Sequence, residues 1–536
     1  MKFKIDRKGC LLLLLFACFA ILRIFSDSPY HLIAADEGKY LTLARHFPFH
    51  TLDNKSLFLL HPPIFPYVVH FFSFFAQDYI AGITVSILAS LITFILIYKL
   101  LSLYVKNFFV ILGTLLLYAV SVESIFWSHM AYKELFMLAV FLAAIYFFIK
   151  GITQDSKYLT YASAFGAIAA LTADHVIFLI PAFISAIIIL RDKKKATIAR
   201  AIIPIIITVL FYSFWLYVRF SVYTHNDYYS TGIDGIVEKV DNFGLKQILN
   251  PVFFPETSIY GRFRPSDVRH YAFVTGYMFN NILLPVPLGL KMDTFLEMFQ
   301  NNIIYLKIIF YMFLLSLFIL ALFKITKDFF KERRIINNYN LFFLSIFFIF
   351  LFPITQQSSS FRMIMMAAVF LFYFITLGFS MLFRHHGKLI AIFVILLALS
   401  APFWIISHPN LAFAQKRVVE TEKTSAFLKS LPKDGIMSQI GYSPSLNYLS
   451  DKRIISMPTS TQNLDFILKR FNINYVVYGQ HYWKPVSEEN KDEVFNYEVI
   501  RYVQQNPSRF KPIGVFKEDL RGITSDDEIH VYEVVN

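Results

Sequence analysis

The stretch ELFMLAVFLAAIYFFIK, residues 134–150, is an apolar run that begins at one acidic residue and ends at one basic residue. As an α-helix it would be about 25 Å long, at the lower end of the lengths with which helices cross the ~30 Å hydrocarbon core of a bilayer. Further apolar runs of similar length occur at 9–25, 79–104, 108–126, 158–173, 175–190, 197–220, 302–323, 340–355, 362–383 and 388–407. The sequence therefore predicts a polytopic α-helical membrane protein with about 11 transmembrane helices. For the short neighbouring runs 158–173 and 175–190, a re-entrant pair is the alternative.

The overall composition indicates the same class of protein. Of the 536 residues, 56% are hydrophobic and only 16% are charged, whereas soluble domains carry about 25% charged residues. Lipid must therefore act as the solvent for much of the chain. The two cysteines, Cys10 and Cys18, lie in the first run about 12 Å apart along a helix, which is too far for a disulfide between them. Because no small-x-small cleavage site follows this run, we expect a retained helix rather than a signal peptide.

Basic residues are concentrated in short segments between the apolar runs. They are Lys150 and Lys157, RDKKK at 191–195, KITKDFFKERR at 324–334 and RHHGK at 384–388. This distribution follows the positive-inside rule, so the net charge of +13 indicates cytoplasmic loops rather than a nucleic-acid-binding surface. With the N-terminus inside, the predicted outer segments are 26–78, 127–133, 174, 221–301, 356–361 and everything after 408.

Residues 408–536 differ in character from the rest, because charged and polar residues return. TSAFLKSLPKDG, LDFILKRF and NYEVIRYVQQNP predict helices, and INYVVYG, FKPIGVF and EIHVYEVV predict strands. We expect a small α/β domain outside the membrane. Its stretch GYSPSLNYLSDKR, residues 441–453, has no assignable chemistry, so the domain is interpreted as a lid or an acceptor platform.

The first outer segment contains the stretch AADEGKYLTLARHF, residues 34–47. Its spacing predicts a short helix in the outer membrane–water interface, with Tyr40, Leu41, Ala44 and Phe47 on one face and Lys39, Thr42, Arg45 and His46 on the other. Asp36 and Glu37 open this helix, where the helix dipole favours negative charge. A simple N-cap is the alternative interpretation of Asp36.

More ionisable residues fall at the same predicted outer level. They are His61, Glu123, His129, Glu134, Asp174 and His175. Because ionisable groups near membrane depth are costly and usually serve a site or a pathway, the sequence predicts a polar cavity that opens outward. The alternative for His129 and His175 is that each is a helix-end histidine with satisfied hydrogen bonds.

These motifs resemble those of the C-type (GT-C) membrane glycosyltransferases, in particular protein mannosyltransferases and lipid A aminoarabinose transferases. DEGKY at 36–40 and HPPIFPY at 61–67 are similar to the first-loop motifs of that family. SHMAYKELFMLAVF is similar to its second acidic motif and points to Glu134, and SSSFRMIMMAAVFLF is similar to its arginine motif and points to Arg362. In architecture the resemblance covers residues 1–400.

The resemblance implies a transmembrane catalytic domain at 1–407, with outer loops 26–78 and 221–301, and an extracytoplasmic α/β domain at 408–536. The implied reaction transfers a hexosyl or pentosyl group from a polyprenyl-phosphate donor to a hydroxyl of a protein, lipid or glycan acceptor. It would take place at the extracytoplasmic face of the cell membrane, and nucleic acid would not be a partner. Asp36 would be the general base, and Glu37, His61 and Glu134 would shape the site or bind a divalent cation. Tyr40 would contact substrate. The cations that bind the phosphate would be Arg262, Arg264, Arg269 and Arg362. The alternative interpretation of these arginines is that they are exposed loop charges.

The sequence departs from the family pattern at three positions. His61 stands where relatives often carry Lys before the prolines, LTADH at 171–175 lacks a Lys that often follows a Thr, and Met363 rather than Tyr follows Arg362. The cations that bind the phosphate and the identity of the sugar therefore stay open.

Two other function classes are alternatives to the transferase. A lipid or solute transporter or flippase would more naturally show internal repeats and broken helices with charges at the midplane, which the sequence lacks. A membrane anchor for the C-terminal domain would not need acidic residues grouped at the outer face.

Overall fold

The computed structural model describes residues 7–25, 35–45, 62–191, 198–225, 302–332, 338–356, 364–382, 423–438, 443–458, 461, 464–479, 497–517 and 528–535. The chain divides into two compact units. The first consists of Met1–Asp27, Ile83–Trp215 and Leu249–Asn410, and the second of Ser28–Gly82, Leu216–Ile248 and Leu411–Asn536. The predicted domain boundary at 407/408 lies outside the described residues.

Most of the described residues before 383 are helical. In chain order the helices are α1 Arg7–Phe25, α2 Ala35–Arg45, α3 Ile64–Ser73, α4 Asp78–Ser102, α5 Phe108–Val120, α6 Val122–Ser128, α7 Lys133–Thr153, α8 Tyr158–Ala170, α9 Leu179–Leu190, α10 Ile198–His225, α11 Asn302–Glu332, α12 Tyr339–Gln356 and α13 Ile364–Leu382. Ten of the eleven predicted apolar runs coincide with these helices. The last run, 388–407, lies outside the described residues.

The structure differs from the predicted pattern at three places. The run 108–126 forms two helices, because Ser121 between α5 and α6 has an extended backbone. The run 175–190 begins with a 3₁₀ helix, Asp174–Phe178, before α9. Helix α3 lies within the segment expected to be an outer loop. Its prolines are compatible with a helix because Pro63 is the N-cap and Pro66 lies in the first turn, where no intrahelical N–H bond is lost.

Several of these helices have the length and apolar character of membrane spans. Among the described residues four qualify, namely Asp78–Ser102, Lys133–Thr153, Ile198–Val218 and Met365–Leu382. Large apolar side chains such as Ile188, Phe214 and Phe323 are more than half exposed in the protein. Such apolar surface is stable in lipid but not in water, so the chain is a helical membrane protein.

Helix α13 lies at the centre of the packing in the first unit and contacts α5, α11 and α12. Two glycines allow the close approach of these helices. Gly378 of α13 packs against the backbone of Leu317 in α11, and Gly113 of α5 packs against the side chain of Thr376 in α13. Small residues at helix contacts let backbones approach closely, which is the usual way that membrane helices associate.

The second unit contains a five-stranded mixed sheet, and the helices and strands predicted from the sequence occur in it. The strands are β1 Ile436–Ser438, β2 Ile454–Ser456, β3 Tyr475–Gly479, β4 Phe510–Lys517 and β5 Glu528–Val534, in the spatial order β2-β1-β3-β5-β4. The pairs β1–β2 and β1–β3 are parallel, whereas β3–β5 and β4–β5 are antiparallel.

Helices cover both faces of this sheet. They are α14 Ser443–Ser450, α15 Leu464–Arg470 and α16 Tyr497–Gln505, together with the helical residues 423–430. Val476 faces a core formed with α15 and α16, while Val477 faces a second core that includes Leu446 of α14. Burial on both faces explains why β3 reads as the continuous apolar run YVVYG.

Candidate active site

Asp36 and Glu37 lie in the first turn of α2. This helix begins at Ala35, so Asp36 and Glu37 lie where the helix dipole stabilises a negative charge. Glu37 is completely buried, whereas the side chain of Asp36 lies outside the described residues. A carboxylate is rarely buried at an ordinary surface cap, because its desolvation is costly. The Glu37 side of this turn is therefore enclosed by the protein.

Helix α3 packs along α2 and supports its C-terminal half. The ring of Tyr40 meets the ring of Phe65 edge-on, with 5.3 Å between the centroids, and both side chains are fully buried. His70 of α3 donates a hydrogen bond from Nδ1 to the carbonyl oxygen of Ala44 (2.7 Å), which satisfies one of the last carbonyls of α2. The HPP motif thus leads directly into the helix that holds α2.

The predicted two-sided character of α2 is wrong for Thr42, which was placed on the polar face but is buried. The reason is that α2 has protein on more than one side, since it contacts α14 as well as α3. Helix α14 belongs to the sheet domain, by which we mean the strands β1–β5 and the helices that cover them, within residues 423–535. The helix is therefore held between two other helices.

Arg45 connects the C-terminal end of α2 to two other elements of the second unit. Its Nε donates to Oδ2 of Asp78 (2.8 Å) at the start of α4. One terminal nitrogen donates to the carbonyl oxygen of Tyr448 in α14 (3.0 Å), and the guanidinium lies 4.2 Å from the centre of the Tyr448 ring. Asp451, 3.7 Å away, adds a second carboxylate. The sequence predicted Arg45 only as part of a polar face, so this role was missed.

Tyr448 lies among charged groups of α2 and α4. Burial raises the pKa of the Tyr448 phenol above its usual value, the positive charge of Arg45 opposes this rise, and the negative charges of Asp78 and Glu37 add to it. The influence of Glu37 on this pKa means that the buried carboxylate of α2 and the phenol of α14 are electrostatic neighbours. The sheet domain thus contributes a side chain to the surroundings of the acidic turn.

Glu134 lies in the first unit, in the first turn of α7, and is buried. The turn before α7 is fixed by Ser86 of α4, whose hydroxyl donates to the carbonyl oxygen of Met130 (2.7 Å) and lies 3.2 Å from that of Tyr132. Trp127 packs edge-on against Tyr132. Glu134 thus opens α7, where the second acidic motif places an acid, and its catalytic role stays a prediction.

The other ionisable residues of the predicted cavity differ in their surroundings. His129 donates from Nδ1 to the carbonyl oxygen of Ile125 (2.9 Å) in its own helical segment, as expected of a helix-end histidine. Asp174 and His175 form the start of the 3₁₀ helix before α9. The side chain of Glu123 lies outside the described residues. The outward polar cavity therefore stays a prediction.

Residues 60–217 match the dolichyl-phosphate-mannose-protein mannosyltransferase family. Three solved structures share the fold. ArnT from Cupriavidus metallidurans in the apo state has a TM-score of 0.56 and 10% identity, with 99% of both chains covered. The same protein bound to undecaprenyl phosphate has a TM-score of 0.53 and 9% identity, with 98% of both chains covered. The archaeal oligosaccharyltransferase AglB from Archaeoglobus fulgidus, in complex with an inhibitory peptide and a dolichol-phosphate, has a TM-score of 0.52 and 10% identity, with 98% of this chain and 76% of that chain covered. The resemblance to GT-C glycosyltransferases is confirmed. No curated protein sequence matches the chain significantly.

Several residues predicted for the site fall outside the described part of the chain, and their roles stay predictions. These are His61, Arg262, Arg264, Arg269 and Arg362. Within the described residues, no group of three His, Cys, Asp or Glu side chains is placed to hold a metal ion.

One further buried cation, in the first unit, was not predicted. Arg23, near the end of α1, is fully buried and donates to the hydroxyls of Ser90 (3.3 Å) and Ser124 (2.8 Å) and to the carbonyl oxygen of Ala119 (3.3 Å). Its guanidinium also stacks on the ring of Phe19. In the sequence it looks like the basic end of a span, and no signal distinguishes it from a residue exposed at the membrane surface.

Proposed function

We propose that this chain is a glycosyltransferase that moves a sugar from a polyprenyl-phosphate-linked donor to an acceptor hydroxyl at the extracytoplasmic face of the cell membrane. The observation that carries the proposal is the acidic turn of α2, Asp36–Glu37, on a helix that α3 holds in place through His70 and Phe65. The family match over residues 60–217 and the GT-C fold support a glycosyltransferase independently of these two residues.

The proposed chemistry needs one base and several cations. The acceptor oxygen attacks the anomeric carbon, the bond from that carbon to the phosphate oxygen breaks, and polyprenyl phosphate leaves with its electron pair. The acceptor proton passes to the carboxylate of Asp36, which acts as general base. Because phosphate is already a good leaving group, it requires positive charge more than a proton donor, and we assign this role to Arg262, Arg264, Arg269 and Arg362.

The remaining assignments follow the chemistry of the side chains. The buried carboxylates Glu37 and Glu134 shape the site or, with His61, bind a divalent cation. We assign a substrate contact to Tyr40. No nucleotide-binding element is required, because the lipid tail of the donor would lie between helices.

The lipids in two of the structural relatives agree with this donor class. The ArnT structure contains undecaprenyl phosphate and the AglB structure contains a dolichol-phosphate. Both compounds are polyprenyl phosphates, which are the leaving groups of the proposed reaction.

The proposal is tested with purified protein, a panel of radiolabelled polyprenyl-phosphate sugars and a membrane extract as the source of acceptor. Asp36→Asn keeps the shape of the side chain but removes the proton acceptor, so turnover per folded molecule should fall by about 100- to 10,000-fold. Donor binding should persist, because the phosphate contacts come from other residues. Glu37→Gln should reduce turnover less, unless Glu37 binds a metal, in which case donor affinity and rate should fall together.

The N-cap interpretation of Asp36 makes a different prediction for the same variant. Loss of a cap costs about 1 kcal/mol of stability, so expression would fall while turnover per folded molecule stayed near that of the wild type. That result would exclude Asp36 as the base. Absence of transfer by the wild-type protein with every donor would exclude the proposed enzyme class.

A further inference from the structure

The sheet domain of the second unit has a stretch, GYSPSLNYLSDKR, to which the sequence assigned no chemistry. Its residues Ser443–Ser450 form α14, which has two occupied faces. Leu446 is completely buried in one core of the sheet, whereas Tyr448, two residues later and on the opposite side of the helix, lies under the guanidinium of Arg45. Helix α14 therefore lies between the sheet and α2.

The end of α14 is anchored rigidly to the sheet domain. Asn447 donates from its side chain to the carbonyl oxygen of Lys452 (2.8 Å), and the ammonium of Lys452 donates to the carbonyl oxygen of Leu431 (2.9 Å). Asp451 adopts a left-handed backbone conformation (φ 55°) that turns the chain at the helix end. A side chain bound to this segment is thus bound to a fixed platform.

We propose that Arg45 is a positioning residue, through which the sheet domain sets the location of the acidic turn of α2. Arg45 joins α2 to Asp78, 33 residues away, and to Tyr448, 403 residues away. Helix α2 is a short rigid rod, and Glu37 lies only about 12 Å along it from Arg45. A movement of the clamped end therefore moves the end that carries Asp36 and Glu37.

The contacts of Arg45 require an arginine. Its planar fork reaches the Asp78 carboxylate with one nitrogen and the Tyr448 carbonyl with another, while its flat face stacks on the Tyr448 ring. A lysine offers a point charge that can keep one of these contacts but not all three. Because the side chain is only about one-third exposed, its contacts with α14 and Asp78 are specific rather than those of a freely solvated charge.

The expected effect of Arg45→Ala on kcat rests on the proposed function, whereas its expected effect on the order of α2 does not. Misplacement of a reacting group by about 1 Å costs about 100-fold in rate. We therefore expect Arg45→Ala to lower kcat by about 10- to 100-fold, with the KM for the donor lipid unchanged. Arg45→Lys should recover part of this loss. In hydrogen–deuterium exchange of the full-length protein, residues 37–44 should exchange faster in Arg45→Ala than in the wild type.

Arg509→Ala is the matched control. Arg509 also pairs with a carboxylate, that of Asp465, and lies against an aromatic ring, that of Phe510, but it joins elements of the sheet domain and none of its described contacts is with α2. It should leave kcat and the exchange of residues 37–44 unchanged. If Arg45→Ala does not accumulate, Tyr448→Leu tests the same contact from the other side, since it removes the ring and keeps the carbonyl.

The outcomes separate this inference from the proposed function. Wild-type kcat and wild-type exchange of α2 in both Arg45→Ala and Tyr448→Leu, alongside inactive Asp36→Asn, would overturn the positioning role and leave the enzyme class intact. If the wild-type protein transferred no sugar, the proposed function would fail, while the exchange measurement would still decide whether Arg45 holds α2. A rise in KM without a fall in kcat would also contradict positioning, because it would make Arg45 a binding residue.

Discussion

The contact between α11 and α13 offers a quantitative test of the helix packing in the first unit. A Cβ atom added at Gly378 would lie 1.9 Å from the carbonyl oxygen of Leu317 and 2.7 Å from its carbonyl carbon. Cβ atoms essentially never approach other atoms within 3.0 Å, so Gly378→Ala forces the two helices apart by more than about 1 Å at a packed contact. The opposing atoms are backbone and cannot rotate away.

Overpacking of this kind typically costs about 1–3 kcal/mol, and we expect the upper end for Gly378→Ala. The assay is thermal unfolding of the detergent-solubilised protein, in which each kcal/mol lowers the midpoint by about 2–4 °C for a domain of 150–250 residues. The midpoint should therefore fall by several degrees. Gly113→Ala is the comparison, because its new Cβ meets the methyl of the Thr376 side chain at 2.4 Å.

Trimming the opposing side chain separates the two cases. Thr376→Ala should restore stability to Gly113→Ala, since the clash there is with a side chain. No side-chain substitution at Leu317 removes the clash with Gly378→Ala. An unchanged unfolding midpoint for Gly378→Ala would show that α11 and α13 do not meet backbone to backbone, and would refute the packing described for this unit.

Three further predictions concern topology and the sheet domain. Reporter fusions should read cytoplasmic at residues 193, 330 and 386 and external at 240 and 450, and an external signal at 330 would reverse the assigned faces. Gly435→Ala should destabilise the sheet domain by more than about 1 kcal/mol, measured as increased protease sensitivity of the full chain, because Gly435 has φ +86° and its Cβ would lie 2.1 Å from the carbonyl oxygen of Asn472. Burial and then the hydrogen bond with Tyr532 raise the pKa of Tyr478. An unfolded tyrosine ionises near pH 10, so the stabilising contribution of Tyr478 should be complete below about pH 10 and be lost at higher pH, and Tyr478→Phe should weaken the decline in unfolding midpoint above that pH.

Much of the helical architecture could be predicted from local sequence. Runs such as 79–104 and 134–150 are apolar over a membrane thickness, and in lipid a chain of this kind must satisfy its own backbone hydrogen bonds, which a helix does within one segment. The same holds for the strand YVVYG, where β-branched and aromatic residues on both faces specify a buried strand. These predictions succeeded because each depends on neighbours close in sequence.

The acidic turn was also predictable in part. DEGKY and the acid that opens α7 could be selected as site residues because a charge next to an apolar run is costly without a function. Their burial and supports could not be predicted in the same way. Helix α3 was not predicted, because residues 26–78 as a whole were expected to form an outer loop, although Pro63 and Pro66 lie where a helix tolerates them.

Only the tertiary structure decided what surrounds α2. The partners of Arg45 lie 33 and 403 residues away in the chain, and no periodicity or motif in one segment records such a distance. Thr42 appeared polar from its spacing and is buried because α14 packs against the same helix. The sequence by itself thus determined the apolar helices, three of the five strands and the acids proposed for the candidate site. The long-range packing decided which side chains hold those acids in place, because a hydrogen bond or a ring contact depends on where two distant segments meet.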